Sequence, residues 1–494
     1  MSKKQKINSN IDYSMLELKG LPNNYFQSNR DRYLAKVRKF KEIDANSILV
    51  IRGGESTSLY DTDQDLTYFT QESNFFYLTG VKEQGLNAIL DLTSSKLHLF
   101  YEQPEDDMRI WIKVLTKEDL AKKYEMDISL IHDMSSFNSF IKARDPKFIC
   151  VLCGTNDYSN LPVKSATLDF KDEYAYLNDR VKKDDDLYYE ILKDTRTIKA
   201  DYELDLMTFI NEISIDGHLQ MLSNIRPGLY ERDLEMIFFN YLYKKYYTRI
   251  WAYPCIAGAN KNGATLHYEV NDQMLKDGGL FLADMGVRFC NYTSDITITI
   301  PINGKFTPKQ KQIYDIVLKS NLEVQKITKP GTEFYAMDKL SKIIILEELQ
   351  KMGMLSSQYS VEEMFEKNIF KLFMAHGLGH HLGLDVHDIG HIIKYIPTLV
   401  MQEGMIFTVE PGIYFVEFVF NKAFDDPEQR KYLNVDMIKN YLDFGGVRIE
   451  DDVYITKDGC INLTKRMPRT TDEIEKYMSE NNIYCKEIYE KQRK

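Results

Sequence analysis

The first third of the chain alternates short apolar runs with amphipathic stretches. The apolar runs are four to six residues long and rich in β-branched and aromatic side chains, which predicts buried strands. Amphipathic spacing at 32–41 and 117–124 predicts helices between them. Strands interleaved with helices indicate an α/β layered domain. The predicted strands are 47–51, 87–92, 97–100 and 148–152.

From about residue 195 the pattern changes to longer amphipathic helices, predicted at 201–222 and 231–246. Two similar basic-Pro-Gly turns begin at Arg226 and Lys329, and they hint at a duplicated α-plus-β unit. A charged run at 182–186 is typical of a solvated surface and fits a domain junction. The chain is therefore divided into a flexible N-terminal segment 1–30, an N-terminal domain 31–195 and a C-terminal domain 196–494.

Composition and charge narrow the possible functions. The 494 residues are 44% hydrophobic and 28% charged, which excludes a largely disordered or fibrous chain. The formal charge of −11 argues against a partner that is a nucleic acid or an anionic membrane surface, since both require a basic footprint. The lysines near the N-terminus precede no apolar stretch, so a secretory signal is not expected. No window approaches the roughly 18 apolar residues of a membrane span.

The six cysteines do not suggest a disulfide framework. Cys150 and Cys153 form a C-x-x-C pattern that redox or zinc chemistry could use. They lie in an apolar run that reads as a strand, however, and no second pair completes a zinc site. We interpret them as buried thiols in a reducing compartment and expect a cytoplasmic protein.

Two aspartates in apolar strands form the first candidate for chemistry. Asp284 and Asp295 flank a short segment between two β-type runs within 279–300. A hairpin turn centred between Phe289 and Cys290 would set the two acids directly opposite each other. Facing like charges destabilise a sheet, so such a pair favours a cation between them. A turn centred elsewhere would leave both acids exposed, and the hairpin by itself favours a metal only slightly.

Two glutamates occur in similar settings further along the chain. Glu410 lies in the apolar run 405–412, just before a Pro-Gly turn. Glu450 lies in the run 445–455, where alternation puts Arg448 on the same face. One acid within a strand is usually an edge or surface residue. Four such acids in one half of the chain indicate a shared site.

Histidines are concentrated near these acids, since five of the nine lie within 376–391. His376 and His380 have the i, i+4 spacing of a zinc-binding helix, but Gly377 replaces the glutamate of that motif and nearby glycines argue against a regular helix. A single histidine is usually structural, whereas a glycine-rich cluster of five indicates a site.

Charge balance suggests which metal the site would hold. The carboxylates of Asp284, Asp295, Glu410 and Glu450 cannot all ionise when buried without compensation. Two divalent cations would neutralise them. Ligation by carboxylates with one imidazole suits Mn²⁺ or Co²⁺ better than a thiolate zinc site. A two-metal site with a bridging water generates hydroxide near neutral pH and polarises a carbonyl, which indicates hydrolysis.

The ordered set of acids and histidine resembles that of the pita-bread metallopeptidases, which include methionine aminopeptidase, aminopeptidase P and prolidase. The five motifs are Ala-Asp-Met-Gly at 283–286, Ser-Asp-Ile-Thr at 294–297, His-Gly-Leu-Gly-His at 376–380, Val-Glu-Pro-Gly at 409–412 and Val-Arg-Ile-Glu-Asp-Asp at 447–452. Within this superfamily the chain is most similar to the prolidases, or Xaa-Pro dipeptidases, over roughly 30–475. Further shared motifs are Arg52–Ser56, Gln71–Phe76, Tyr253–Ile256, Leu266–Tyr268, Asn303–Thr307, Leu382–Asp388 and Pro468–Thr470.

This resemblance implies an α/β N-terminal domain followed by an α+β C-terminal pita-bread catalytic domain with a duplicated, creatinase/aminopeptidase-like fold. It implies metal-dependent hydrolysis of the peptide bond before proline in Xaa-Pro dipeptides, with a bridging hydroxide as nucleophile. Two divalent ions per chain are expected, with Mn²⁺ favoured. The expected partners are small peptide substrates and a second copy of the chain in a homodimer.

The resemblance also implies a role for each site residue. Asp284 and Asp295 would hold one ion, His380 the other, and Asp295 and Glu450 would bridge the two. Glu410 would be both a ligand and the general base. The remaining site residues are assigned as follows: His267 and His387 hydrogen-bond the substrate carbonyl and the tetrahedral intermediate, Arg448 orients a ligand carboxylate, and Tyr253 and His376 line the substrate pocket. The resemblance gives no role to His381 and His391, which we interpret as structural or exposed.

One segment departs from the prolidase pattern. Prolidases usually carry a longer lid before the Val-Glu-Pro-Gly strand, with an arginine that grips the dipeptide carboxylate. Here the stretch 391–398 is short, and Lys394 is its only cation. Lysine cannot form a bidentate clamp. An Xaa-Pro aminopeptidase acting on longer peptides is therefore an alternative, beside a catalytically dead binding module and a metal-free creatinase-like hydrolase.

Overall fold

The computed structural model describes residues 12–39, 46–66, 68–163, 168–182, 186–390 and 399–486. It divides into two compact units, which we call the N-terminal unit (Leu16–Tyr202) and the C-terminal unit (Glu203–Asp388 with the described residues from 399 onward). The stretch 391–398, with His391 and Lys394, lies outside the described residues. Within the described part of the chain, no helix has the length and apolar character needed to cross a bilayer.

The N-terminal unit is built on a six-stranded sheet with strand order β4-β3-β2-β1-β5-β6. β1 pairs antiparallel with β2 and parallel with β5, so the sheet is mixed. Its elements are α1 (Leu16–Lys19), α2 (Asn23–Val37), β1 (Ser47–Arg52), α3 (Ser73–Thr79), β2 (Leu86–Asp91), β3 (Leu97–Tyr101), α4 (Lys117–Lys123), β4 (Ile131–Asp133), α5 (Phe137–Arg144), β5 (Phe148–Val151), β6 (Val181–Lys182) and α6 (Leu187–Thr197).

The four strands predicted in the first third are all present, and their alternating apolar residues fill one core with Ile48, Val50, Ile89, Phe100 and Ile149. This confirms the α/β layered fold of the N-terminal region. The helix predicted at 117–124 ends one residue earlier, at Lys123, and begins after a capping box formed by Thr116 with Asp119.

The start of the N-terminal unit differs from the prediction. The first long helix is α2, which begins at Asn23 rather than at 32 and buries Phe26 and Arg30. The segment predicted to be flexible up to residue 30 therefore includes a packed helix. The unit also extends to Tyr202, beyond the predicted boundary at 195, because α6 packs against α2 and Tyr33 donates a hydrogen bond to the carbonyl of Tyr188.

The C-terminal unit combines long helices with short strands. Its elements are α7 (Asp201–Asn224), α8 (Glu231–Tyr246), β7 (Ile256–Ala259), β8 (Leu280–Asp284), β9 (Arg288–Phe289), β10 (Tyr292–Thr293), β11 (Thr297–Pro301), α9 (Pro308–Ile327), α10 (Phe334–Lys351), α11 (Val361–Glu366), β12 (Ile406–Val409), β13 (Gly412–Tyr414), α12 (Glu417–Asp425), α13 (Pro427–Arg430), α14 (Val435–Lys439), β14 (Gly446–Arg448), β15 (Asp451–Ile455), β16 (Cys460–Asn462) and α15 (Thr471–Asn481).

The two Pro-Gly turns introduce equivalent halves of this unit. Gly228 and Gly331 both have a φ of 88°, a left-handed conformation that glycine adopts without strain. The amide of Gly228 donates to the carbonyl of Leu275, and the amide of Gly331 donates to that of Met401. In the first half, α8 follows the turn and β8 ends at Asp284. In the second half, α10 follows the turn and β12 ends next to Glu410, so the predicted duplication is present in the fold.

The hairpin that carries the two aspartates has a different register from the predicted one. β8 pairs with β11 so that Asp284 lies opposite Thr297, not opposite Asp295. The turn lies at Cys290 and Asn291, which have φ values of 49° and 67° as a two-residue primed turn requires. The residue opposite Asp284 is therefore two positions further along the chain than predicted. Side chains two positions apart in a strand lie on the same face, so Asp295 still shares a face with Asp284.

Candidate metal centre

Five side chains from separate segments of the C-terminal unit converge on one buried cluster. Asp295, His380 and Glu450 each offer a ligand atom, and these three atoms lie within 4.8 Å of one another. Nε2 of His380 lies 3.4 Å from Oδ2 of Asp295 and 3.4 Å from Oε1 of Glu410. Asp284, the last residue of β8, lies near this cluster, since repulsion from its carboxylate contributes to the raised pKa of both Glu410 and Glu450.

Each acid occupies a position where a strand begins or ends. Asp284 closes β8, and Asp295 lies just before β11. Glu410 lies between β12 and β13, while Glu450 lies between β14 and β15. Strand ends allow a side chain to turn into a cavity while the neighbouring apolar residues stay in the core. The sequence placed the two glutamates inside strands, and they instead occupy breaks between strands.

His380 is carried by a segment without regular helix that lies along β12. The amides of Thr408 and Glu410 donate to the carbonyls of His380 and Leu378, each at 2.9 Å. This approach depends on Gly379, because a Cβ at that position would meet the carbonyl oxygen of Thr408 at 1.9 Å. The glycine-rich sequence therefore brings an imidazole against the strand that ends at Glu410.

Asp284 is held by two donors. Nη2 of Arg448 lies 2.5 Å from its Oδ2, and the hydroxyl of Tyr253 donates to its Oδ1 at 2.7 Å. Arg448 also donates to the hydroxyl of Tyr414 at 3.0 Å. Arg448 therefore contacts a candidate ligand carboxylate, as the resemblance implied. Tyr253, which the resemblance placed in the substrate pocket, donates its hydroxyl to this candidate ligand.

The electrostatics of the protein groups fit a cation in their midst. Burial, with repulsion from Asp295 and Glu410, raises the pKa of Glu450 well above its usual value. Burial also raises the pKa of Glu410 to about 7. For His380, burial favours a lower pKa, but the hydrogen bond to Asp295 and the charge of Glu410 outweigh it and raise the pKa to about 9. These groups attract positive charge strongly, which a divalent ion supplies.

The donor set also fits hard divalent ions. Four carboxylates and one imidazole provide oxygen and nitrogen ligands, which suit Mn²⁺ and similar ions. The residues that would hold them are Asp284, Asp295, His380, Glu410 and Glu450. Leaving the histidines aside, Arg448 is the one positively charged side chain among the described residues that forms a salt bridge with any of these carboxylates. One guanidinium leaves negative charge uncompensated, so the cluster fits divalent metal binding.

The other predicted histidines lie around this cluster. His387 packs edge-on against His380 with ring centroids 4.4 Å apart, and burial beside His380 lowers the pKa of His387 to about 4. His267 is exposed, and its charge acts on both His376 and His387. The three imidazoles therefore lie close enough to influence one another, beside the candidate ligands.

His376 is fixed by Tyr414. Its Nε2 lies 2.8 Å from the Tyr414 hydroxyl, while its Nδ1 lies 2.8 Å from the carbonyl of Gly377 and 3.9 Å from Oε2 of Glu410. Burial and the neighbouring charge of Arg448 lower the pKa of His376 to about 3, so it remains neutral. His381 is fully buried against Phe407, which agrees with the structural role expected for it.

Sequence reasoning missed several residues that hold the ligands. Thr297 is fully buried and donates to Oε2 of Glu450 at 2.7 Å. Tyr414 links Arg448 to His376. Asp452 accepts the amide of Asp295 at 3.2 Å. The shared face of Asp295 and Thr297 was a signal for the first residue, and Asp452 lies within the motif at 447–452. Nothing in the sequence points to Tyr414.

Comparisons with known proteins agree with this site. The model of metallopeptidase family M24 matches residues 205–457, and that of the aminopeptidase P N-terminal domain matches residues 26–147. The Xaa-Pro dipeptidase of Homo sapiens is 35% identical over 92% of this chain and 93% of its own. A probable Xaa-Pro aminopeptidase of Sordaria macrospora is 32% identical over 88% of this chain and 92% of its own.

Solved structures show the same fold. Aminopeptidase PepP of Pseudomonas aeruginosa has a TM-score of 0.77 and 27% identity, over 94% of this chain and 99% of that one. Zn-substituted aminopeptidase P of Escherichia coli in complex with product has a TM-score of 0.76 and 26% identity over the same shares. The two-domain fold and the acidic site together define a metal-dependent peptidase. The chain belongs to metallopeptidase family M24, and its C-terminal unit has the pita-bread fold of that family.

Proposed function

We propose that this protein is a dinuclear Xaa-Pro dipeptidase that hydrolyses the peptide bond before proline. The observation that carries the proposal is the convergence of Asp284, Asp295, His380, Glu410 and Glu450 on one buried cluster. These five side chains would hold two divalent ions, with Mn²⁺ the favoured metal. Two such ions activate a water molecule and polarise the carbonyl of the bond to be cleaved.

Glu410 is the proposed general base. Its carboxylate lies at the edge of the cluster, with Oε1 3.4 Å from His380 and 3.3 Å from the hydroxyl of Thr408. It would accept a proton from the attacking water at one carboxylate oxygen and deliver it to the proline nitrogen when the C–N bond breaks. This transfer leaves free proline and the free carboxylate of the first amino acid as products.

The histidines around the cluster would act on the substrate. His267 and His387 are proposed to donate hydrogen bonds to the scissile carbonyl and to the oxyanion that forms from it. His376 is neutral because it is buried near Arg448, and its ring is fixed by Tyr414. We propose that its Nδ1–H side shapes the pocket beside Glu410. Arg448 is proposed to orient Asp284 for metal binding through their ion pair. Tyr253 is proposed to assist Arg448, since both donate to Asp284.

The preferred length of the substrate distinguishes a dipeptidase from an aminopeptidase that acts on longer Xaa-Pro peptides. The human relative, at 35% identity, is named a dipeptidase. The fungal relatives and structural neighbours are named aminopeptidases, and the stretch 391–398 lacks the arginine that would grip a dipeptide carboxylate. Hydrolysis of longer Xaa-Pro peptides is therefore the second candidate.

One comparison tests both candidates. Mn²⁺-loaded protein is assayed with Ala-Pro, Gly-Pro and a longer Xaa-Pro peptide such as Ala-Pro-Ala, under the same conditions. A higher kcat/KM for the dipeptides supports the first candidate, and a higher value for the tripeptide supports the second. No turnover of any of them, with less than one metal ion per chain by elemental analysis, would indicate a binding module instead.

We also propose that two copies of the chain associate, as the family resemblance implies. Size-exclusion chromatography with light scattering at assay concentration tests this statement. A mass of twice that of the 57.9 kDa chain is expected, and a monomer at all concentrations would contradict it.

A further inference from the structure

A buried amide of helix α9 contacts the backbone immediately before both glutamates of the cluster. Asn321 is fully buried. Its Nδ2 donates to the carbonyl of Val409 at 2.9 Å and to the carbonyl of Ile449 at 3.4 Å. Val409 precedes Glu410, and Ile449 precedes Glu450. One side chain therefore joins the two backbone positions from which the glutamates project.

The need for such a donor follows from the sequence of β12 and β13. The antiparallel ladder that pairs β12 with β15 and β13 with β14 is interrupted at Glu410 and Pro411. The amide of Ile449 donates to the carbonyl of Pro411 at 3.3 Å. In an uninterrupted antiparallel ladder the amide of residue 411 would also donate a hydrogen bond to the carbonyl of Ile449, but proline has no N–H to donate. The Asn321 amide supplies a donor to that carbonyl.

The orientation of the Asn321 amide is fixed by a second side chain. Nε2 of Gln325, one turn further along α9, donates to Oδ1 of Asn321 at 2.7 Å and to Oδ2 of Asp451 at 2.9 Å. Because Oδ1 accepts from Gln325, the NH₂ group of Asn321 faces the two carbonyls. Asn462 in turn donates to Oε1 of Gln325 at 3.1 Å.

The same network continues to the aspartate hairpin. Arg469 donates to the carbonyl of Glu450 and to Oδ1 of Asp451, each at 2.5 Å, and to the carbonyl of Thr297 at 3.0 Å. Thr297 pairs with Asp284 across the hairpin. Polar side chains behind the cluster thus tie the glutamate segments to each other and to the strand opposite Asp284.

We propose that Asn321 is a positioning residue that sets the spacing between Glu410 and Glu450 and so the ability of the site to hold two metal ions at once. This inference rests on the proposed function, since it takes both glutamates as ligands. Loss of the amide would leave the carbonyl of Ile449 without this donor and would let the two glutamate segments separate. Changes to groups that orient metal ligands typically lower metal affinity about 10- to 100-fold.

The test compares Asn321→Leu with Asn482→Leu. Asn482 is a matched control, since it is also buried and its Nδ2 donates to two backbone carbonyls, those of Leu222 and Ile225. Isothermal titration with Mn²⁺ measures the affinity of each ion, and electron paramagnetic resonance detects magnetic coupling between two bound ions. Neither measurement requires a peptide substrate.

Asn321→Leu is expected to weaken the second Mn²⁺ by about 10-fold or more and to reduce the coupling signal. Asn482→Leu is expected to bind both ions as the unmodified chain does, even if its melting temperature falls by a similar amount. Wild-type binding of both ions by Asn321→Leu, or equal weakening in the two variants, would overturn the proposal. A chain that binds no second ion before any substitution would overturn the proposed dinuclear function with it.

A milder variant covers the case in which Asn321→Leu does not fold. Gln325→Met removes the bond that orients the Asn321 amide but leaves the amide itself in place, and Gln325 is only partly buried. A smaller, several-fold weakening of the second ion is expected, with the first ion unaffected. Unchanged affinity for both ions in Gln325→Met would count against the proposal.

Discussion

Arg448 and Asp284 form a buried ion pair in which Nη2 lies 2.5 Å from Oδ2, and their side chains are only 4% and 10% exposed. The guanidinium also donates to the hydroxyls of Tyr414 and Thr297, at 3.0 and 3.2 Å. All three of its nitrogens therefore donate hydrogen bonds beside the candidate metal centre. The pair joins β8 to β14, which belong to different sheets of the C-terminal unit.

Replacement of Arg448 by methionine should be strongly destabilising in metal-free protein. The substitution leaves Asp284 buried without its cation, and breaking one partner of a buried pair costs about 3–5 kcal/mol. Urea unfolding in the presence of a chelator measures the loss. Arg466→Met is the control, because Arg466 is 39% exposed in its ion pairs with Glu212 and Asp216 and should contribute no more than about 1 kcal/mol. Similar losses in the two variants would contradict the structural role of Arg448.

Glu410→Gln should abolish turnover without unfolding the protein. The amide cannot accept a proton from water, and removal of a general base lowers kcat by roughly 10²- to 10⁴-fold. Hydrolysis of Ala-Pro and the melting temperature measure the two effects. Glu403→Gln, an exposed position in the same segment, should leave kcat unchanged. Activity of Glu410→Gln within a few fold of the unmodified enzyme would remove the role assigned to this residue.

Asp284→Asn should lower the metal content. The substitution removes one negative charge from the ligand set, and the neutral amide is a poorer ligand for a hard cation. Elemental analysis after Mn²⁺ loading and removal of excess metal is expected to find fewer ions per chain than in the unmodified protein. The exposed Asp458→Asn variant serves as the control. Two ions per chain in Asp284→Asn would show that this aspartate is not a ligand.

Stability below neutral pH should depend on His218, a buried residue of α7. Its Nε2 lies 3.0 Å from the carbonyl of Met285, and burial lowers its pKa to about 4. The unfolded chain, with a histidine pKa of about 6.5, takes up a proton first as the pH falls. The stability that neutral His218 provides is therefore complete above pH 6.5 and is lost progressively as the pH approaches 4.

His218→Gln retains a donor for the Met285 carbonyl but does not titrate in this range. Its melting temperature should therefore fall less between pH 7 and pH 5 than that of the unmodified chain, in chelator so that metal release does not contribute. Calorimetry at several pH values measures both curves. Parallel curves would mean that His218 does not carry this pH dependence.

The candidate ligands could be predicted from sequence because each lies in a short local motif. The residues around Asp284, Asp295, His380, Glu410 and Glu450 have the types and order of a known family, and apolar neighbours mark each acid as unusual. The register of the aspartate hairpin could not be predicted in the same way. It depends on whether the turn lies one residue earlier or later, and the apolar alternation fits both. The left-handed conformation of Asn291, a residue that tolerates it, was the available signal.

The residues that hold the ligands were beyond sequence reasoning for a different reason. Asn321 lies 128 residues before Ile449 and looks like an ordinary polar residue of a helix. Arg469 lies in the shared motif Pro468–Thr470, but that motif does not show that its side chain contacts the carbonyl of Thr297, 172 residues earlier in the chain. Their roles arise only when α9 and the segment after β16 pack behind the cluster. Tyr414 is similar, since its apolar strand gives no indication that its hydroxyl meets both Arg448 and His376.

A titration of activity against bound metal tests the proposed two-metal site most directly. Chain stripped of metal by a chelator receives increasing equivalents of Mn²⁺, and the initial rate of Ala-Pro hydrolysis is measured at each ratio. A dinuclear enzyme should show negligible hydrolysis without metal and a rate that rises to a plateau at two ions per chain. Hydrolysis that is independent of added metal, or none with two ions bound, would contradict it.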